Sequence, residues 1–217
     1  MIKIENILTP SPEWMEGVVR GMRNPKNSWE KSDSYITHIE NAETLNTAPY
    51  QFFIGENDMG LMKNLASAGS DHRKYLRQMP VMMDITAPLY WWKEYDTYKV
   101  GTVANSCSTM HKIHAKEFDR DDFSHDRMSE TALNCLDNVI GVLEETRQKY
   151  LETKDRAYWH DMIQLLPSSY NQMRTCTMNY ENLINMYSAR RNHKLAEWRD
   201  FCEVVETLPW FMEIYGG

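Results

Sequence analysis

Residues Gln78–Trp92, QMPVMMDITAPLYWW, change character at one point. The first nine residues form a mostly apolar run of strand length, which reads as a buried strand. Pro88 then stands where a proline opens a helix, because its fixed φ suits the first turn and its missing N–H is not needed there. That helix runs through Trp91 and Trp92. A strand feeding directly into an aromatic helix sets the fold class, and the rest of the chain is read outward from it.

Upstream, IKIENIL alternates as a short strand. Ser11 is a suitable N-cap for a helix over PEWMEGVVRGMR. Asn24–Tyr50 is polar and without a period, and reads as an extended, mobile loop insertion at about 24–50. GENDMGLMKNLASAG returns to helical spacing, with Met59, Met62 and Ala66 on one stripe and Gly69 as a stop. Downstream, KEFDRDDFSHDR is a second polar loop. Ala132, Leu136, Val139, Ile140 and Leu143 mark one face of a helix near Thr131–Lys149. Asp155 caps RAYWHDMIQLL, which Pro167 ends. QMRTCTM alternates as a strand, Asn179 caps YENLINMYSARR, and KLAEWRDFCEVVETL is the last helix expected. The order of elements implies an α+β (mixed α/β) fold, with a central sheet, long helices and one domain over residues 1–217.

A formal net charge of −7 argues against a broad nucleic-acid face, which needs clustered Lys and Arg. Cys107, Cys135, Cys176 and Cys202 are widely spaced, with no zinc pattern, and read as free thiols of a reducing compartment. MIKIENILTPSPEW lacks the basic and apolar regions of a secretory leader. No apolar window approaches the ~18 residues of a membrane span. A soluble cytoplasmic protein is expected.

Local chemistry leaves alternatives open. If CSTMHKIH is helical, Cys107, His111 and His114 share a face. They then form a thiolate pair or, with Glu117, a metal site, against the plainer reading of solvated histidines. Tyr90, Trp91, Trp92, Tyr95 and Tyr98 suit stacking on a planar ring, although such aromatics more often fill a core or a subunit interface. Asp119, Asp121, Asp122 and Asp126 lack the glycine and terminal Glu of a calcium loop. Arg190–Arg191 with Lys194 can clamp a phosphate or simply end a helix. There is no GxGxxG, P-loop or GxSxG. No metal is expected.

Two longer segments go further. HRKYLRQMPVMMDITAPLYWW and LPSSYNQMRTCTMNYENLINMYSARRNHKLAEW resemble the flavin-dependent thymidylate synthases. His72 falls on that family's turn histidine, Ala87–Pro88 on its Ala-Pro and Leu166–Pro167 on its Leu-Pro. Asn179 and Asn185 fall on its flavin-contacting asparagines and Arg190 on its nucleotide-binding arginine; His193 and Glu197 match with one residue deleted. The match fails between the two segments. The Arg-His-Arg motif falls on Thr97, Tyr98 and Lys99, and its serine on Cys107. Two phosphate-binding arginines fall on Thr109 and Ile163, and a flavin-contacting arginine on Glu181. Each lost guanidinium removes a bidentate anion contact, which Lys99 replaces in charge but not in geometry.

The resemblance implies a homotetramer, with the aromatic helix near a subunit interface. It implies FAD at His72, Asn179 and Asn185, with His72 and Cys107 at the chemistry. Arg190, Lys99 and Glu94 would lie on the side of a pyrimidine nucleotide. The implied reaction converts dUMP to dTMP with methylenetetrahydrofolate and NADPH. Three readings stand: that enzyme, a related pyrimidine reaction with Cys107 as nucleophile, or a non-catalytic descendant that binds a nucleotide or a protein.

Overall fold

The computed structural model describes residues 2–40 and 49–216. Its frame is an antiparallel four-stranded sheet in the order β1 (Lys3–Leu8), β4 (Pro80–Pro88), β6 (Asn171–Asn179) and β5 (Val103–Ser106). β4 and β6 pair along their whole length, from Pro80 opposite Asn179 to Pro88 opposite Asn171. Strand alternation sends Val81, Met83, Ile85 and Ala87 to one face, with Cys176 and Met178 beside them, all buried. Met82 and Met173 point to the other face and are exposed.

Helix α1 (Pro12–Arg23) starts where the sequence marks it: the Ser11 hydroxyl accepts from the Trp14 N–H and Pro12 opens the first turn. It buries Met15, Val18, Val19 and Met22. α2 (Glu56–Ser67) adds Met62. α3 (Leu89–Tyr95) follows Pro88 directly. Its Trp91, Trp92 and Tyr95 pack inside the chain, with Trp91 4.6 Å from Trp198 between ring centres. These three rings belong to the protomer's own core, the plainer reading of the aromatic helix. α6 (Tyr180–Arg190), α7 (Ala196–Glu206) and a short α8 (Phe211–Tyr215) complete that core.

α4 (Glu130–Thr153) and α5 (Arg156–Leu165) pack on each other around Leu136, Leu143 and Met162, with Ile113, Phe118 and Phe123. This is a second, smaller apolar cluster. Ala132, expected on the buried stripe of α4, is exposed. Among the described residues, no helix is long and apolar enough to cross a membrane.

The loop expected over Asn24–Tyr50 is partly regular. Short 3-10 turns cover Asn24–Lys26 and Trp29–Lys31, and β2 (Tyr35–His38) pairs with β3 (Tyr50–Phe53); residues 41–48 lie outside the described part. The expected mobility does not fit residues 24–34, which are tied to a buried ion pair. Arg23 Nε lies 2.5 Å from Asp58 Oδ1 and its other nitrogens donate to the carbonyls of Ser28 and Lys31. Asp58 Oδ2 accepts from the hydroxyls of Ser32 and Ser34 and from the N–H groups of Asp33 and Ser34. Burial pushes the Asp58 carboxyl up, but the hydrogen bonds from Ser34, Ser32 and Arg23 outweigh it and hold it below the ordinary range.

Candidate functional site

Helix α6 and its cap carry Asn179, Asn185 and Arg190 of the expected site. Asn179 caps it reciprocally: its side chain accepts from the Asn182 N–H at 3.0 Å, and the Asn182 side chain accepts from the Asn179 N–H at 3.2 Å. Tyr180, Leu183, Ile184, Met186 and Tyr187 face the core, which leaves Asn185 exposed and Arg190 half-buried on the outer side. Residues 98–101 run along that side. Asn182 Nδ2 donates to the Val100 carbonyl, and a Cβ on Gly101, whose φ is +80°, would stand 3.0 Å from Asn179 Nδ2. The backbone can approach the cap this closely only as glycine.

At the N-terminal end of α6, the buried Glu181 is held by two guanidinium groups. Arg73 Nε donates to it at 3.2 Å and Arg77 from the other side, while Arg73 Nη2 donates to Asn185 Oδ1 at 2.9 Å. Burial pushes the Glu181 carboxyl up, and the hydrogen bonds from Arg77 and Arg73 more than offset this, so it stays ionised below its usual range. His72 precedes Arg73 and is exposed. The chain thus brings two cations to the place where a family arginine falls on Glu181. The sequence signal was there: a carboxylate in place of a buried arginine needs cations nearby, and Arg73 and Arg77 are four apart.

At the C-terminal end, Arg190 Nη1 lies 2.5 Å from Glu94 Oε2, and its Nε donates to the Tyr98 hydroxyl at 3.0 Å. Its guanidinium sits over the Trp198 ring at 4.9 Å, and Trp198 Nε1 donates to the same Glu94 oxygen at 3.0 Å. His193 Nδ1 accepts from the Leu195 N–H at 3.2 Å, so a neutral ring carries its proton on Nε2, which faces Glu94 at 3.6 Å. Arg190 is therefore held by Glu94 and Tyr98, not by the imidazole 3.0 Å away. Tyr98, the middle residue of the segment that replaces Arg-His-Arg, is the new partner. Lys99 is exposed and makes no ion pair among the described residues. Glu197 is buried and accepts from the Tyr90 hydroxyl.

Cys107 lies elsewhere. It follows β5, and its N–H donates to the Met173 carbonyl at 2.9 Å. Asn179 lies six positions along β6 from Met173, roughly 20 Å at strand rise. Within one chain, Cys107 does not meet His72, Asn179 or Asn185. The expected helix over CSTMHKIH does not form: residues 107–119 are turns and irregular backbone, so Cys107, His111 and His114 do not share a helical face. Cys176 and Cys202 are buried, and burial pushes their thiols up to about 11 and about 12.

No protein-family model matches the sequence, and no curated protein matches it. Solved structures do. A thymidylate synthase X from Helicobacter pylori with FAD and dUMP superposes with a TM-score of 0.65 at 16% identity, covering 99% of this chain and 95% of that one. A second Helicobacter pylori structure of the flavin-dependent enzyme, complexed with FAD and dUMP, gives 0.64 at 16% identity over 99% and 96%. A UMP/dUMP methylase PolB from Streptomyces cacaoi, bound with 5-Br dUMP, gives 0.62 at 14% identity over 95% and 89%. Over nearly its whole length, the chain has the fold of the flavin-dependent thymidylate synthases.

Proposed function

We propose that this protein is a flavin-dependent, pyrimidine-nucleotide-binding enzyme that methylates the uracil ring of dUMP or a close relative. The observation that carries the reading is the helix α6, which bears Asn179, Asn185 and Arg190 in a chain whose fold matches dUMP-binding flavoenzymes. The residues fit FAD in their chemistry. His72, Lys74 and Asn185 are exposed beside Arg73 and Arg77, and Glu181 neutralises only part of that positive charge, which suits a pyrophosphate. When bound, the flavin would supply the electrons that reduce the transferred one-carbon group. Methylenetetrahydrofolate and NADPH would be the co-substrates. This chain's own part is to bind and orient: Arg190, fixed by Glu94 and Tyr98, would face the pyrimidine, and Lys99 would offer a charge to its phosphate. Cys107, some 20 Å along the sheet, reaches such a site only from another subunit, which favours a homotetramer. A cytoplasmic setting accords with four unpaired cysteines.

The test is the visible spectrum after FAD addition and gel filtration, with tritium release from C5-labelled dUMP and UMP. Retained flavin and folate-dependent release support the reading; a colourless protein that releases no tritium sinks it. One observation favours a non-catalytic nucleotide-binding or protein-interaction role instead. Arg73, Arg77, Arg174 and Arg190 are each already paired with a carboxylate of this chain. Under that reading, FAD leaves no spectrum while dUMP still binds.

A further inference from the structure

A pocket of about 300 Å³ opens between α1 and the insertion that follows it. From α1 come Glu16, Val19, Arg20 and Arg23, at i, i+3, i+4 and i+7 on one face of the helix. Trp29, Ser32, Ser34 and Phe52 form the opposite wall, so the pocket exists only because of the insertion and its β2–β3 pair. None of these residues falls on a flavin or nucleotide position of the family pattern. The apolar surfaces are fixed. Val19 and Phe52 are buried, and the Trp210 ring stands edge-on to Phe52 at 6.3 Å between ring centres. Trp29 Nε1 donates to Asn24 Oδ1 at 2.8 Å, which holds the indole while its ring stays half-exposed.

The polar groups divide into engaged and free. Arg23 is held by Asp58 and by the carbonyls of Ser28 and Lys31. The Ser34 hydroxyl donates to Asp58 Oδ2 at 2.7 Å and accepts the Gly55 N–H at 3.1 Å. The Ser32 hydroxyl donates to the same carboxylate oxygen at 2.8 Å, so its own oxygen has only acceptor capacity left. Among the described residues, Glu16 and Arg20 form no ion pair and no side-chain hydrogen bond, either with each other or with a neighbour. Opposite charges one helical turn apart have Cβ atoms about 5–6 Å from each other and ordinarily pair. Here they stand open at the mouth of an apolar pocket. A simple anion there would meet Glu16 and a simple cation Arg20, whereas a zwitterion satisfies both. Glu16 with Ser32 Oγ suits an ammonium, and the Arg20 fork suits a carboxylate. Val19, Phe52 and the Trp29 ring suit an apolar side chain, and the volume is that of a small ligand.

We propose that this pocket binds a free α-amino acid with an apolar side chain, its ammonium on Glu16 and its carboxylate on Arg20. The proposal does not rest on the flavin reading. Binding is followed by calorimetry on the full chain with L-leucine, L-phenylalanine and glycine, and with the N-acetyl and amide forms of the first two. Leucine or phenylalanine binds with a Kd below about 1 mM. Its N-acetyl form, which lacks the ammonium, and its amide, which lacks the carboxylate, each bind at least about tenfold more weakly, the worth of a charge-assisted contact. Glycine, without a side chain for Trp29 and Phe52, is weaker by a similar factor. Glu16→Gln and Arg20→Gln each lower the affinity about tenfold. Both residues are exposed, so both variants should keep the wild-type melting profile. No heat from either amino acid at millimolar concentration, glycine or a blocked form binding as tightly as the parent, or Glu16→Gln and Arg20→Gln both without effect each overturns the proposal. A colourless, inactive protein that still binds leucine or phenylalanine through Glu16 and Arg20 would sink the flavin reading and leave this one standing.

Discussion

Arg190 and Glu94, 96 residues apart in sequence, are in direct contact, with Nη1 2.5 Å from Oε2. The same Glu94 oxygen also takes the Trp198 indole N–H, so one carboxylate fixes both a cation and the ring beneath it. The arginine expected to meet a nucleotide is thus partly neutralised before any ligand arrives. Glu94→Gln should raise dUMP affinity severalfold, since the guanidinium then has no anionic competitor. The pair is partly exposed, so stability should fall by no more than about 1 kcal/mol. Calorimetric titration and a urea melt read the two effects. A fall in affinity would mean that Glu94 itself touches the ligand.

Glu181 depends on Arg73 and Arg77 together. Its folded carboxyl lies below the ordinary range, so its pairing stabilises the protein above the unfolded value of about 4.3 and is lost as pH falls through the folded value. Replacing both arginines by alanine reverses this: the buried carboxylate is left to be protonated. The Arg73→Ala/Arg77→Ala variant should melt well below the wild type at neutral pH and recover part of the difference in mild acid. Thermal melts across that pH range would test it; an equal deficit at every pH would refute the account.

Asp58→Ala leaves Arg23 charged, buried and without its partner. Breaking such a pair costs about 3–5 kcal/mol. The same change removes the acceptor that gathers Ser32, Asp33 and Ser34, so limited proteolysis should cut within residues 24–34 before the variant unfolds globally. Denaturant midpoints and the mapped first cleavage site provide the check.

The four cysteines should divide by reactivity. Cys107 and Cys135 are exposed, whereas Cys176 and Cys202 are buried and their thiols are pushed up to about 11 and about 12. A thiol-disulfide reagent at neutral pH should modify two thiols in the native protein and all four in denaturant. Rapid reaction of Cys176 would show that the sheet face it occupies is open.

What the sequence displays well is what local chemistry decides. Ser11–Pro12, Pro88, Asp155 and Asn179 mark helix starts, because a cap is written in one to four residues. β5 was silent, since all four of its residues are exposed and no alternation betrays an edge strand. The β2–β3 pair was silent because its anchor, Arg23 with Asp58, joins residues 35 apart through side chains that look like ordinary surface charges. α8 is too short to show a period. In the candidate site, residue types could be laid on a family pattern, but their partners could not. Tyr98 as a hydroxyl acceptor for Arg190, and Arg73 with Arg77 around Glu181, are contacts across about a hundred residues of chain.

β5 and β6 are neighbours in the sheet, yet residues 107–170 run between them, and the Cys107 N–H returns to the Met173 carbonyl. This excursion is a hairpin loop enlarged until it holds its own core. Closing so long a loop costs little more than closing one half its length, about 0.6 kcal/mol per doubling, and the packing of α4 on α5 offsets it. The excursion is therefore separable in principle. A short turn from Ser106 to Asn171 would leave the register of β4 on β6 untouched, and β5 would become a locally connected strand that docks early in folding instead of waiting for a distant closure.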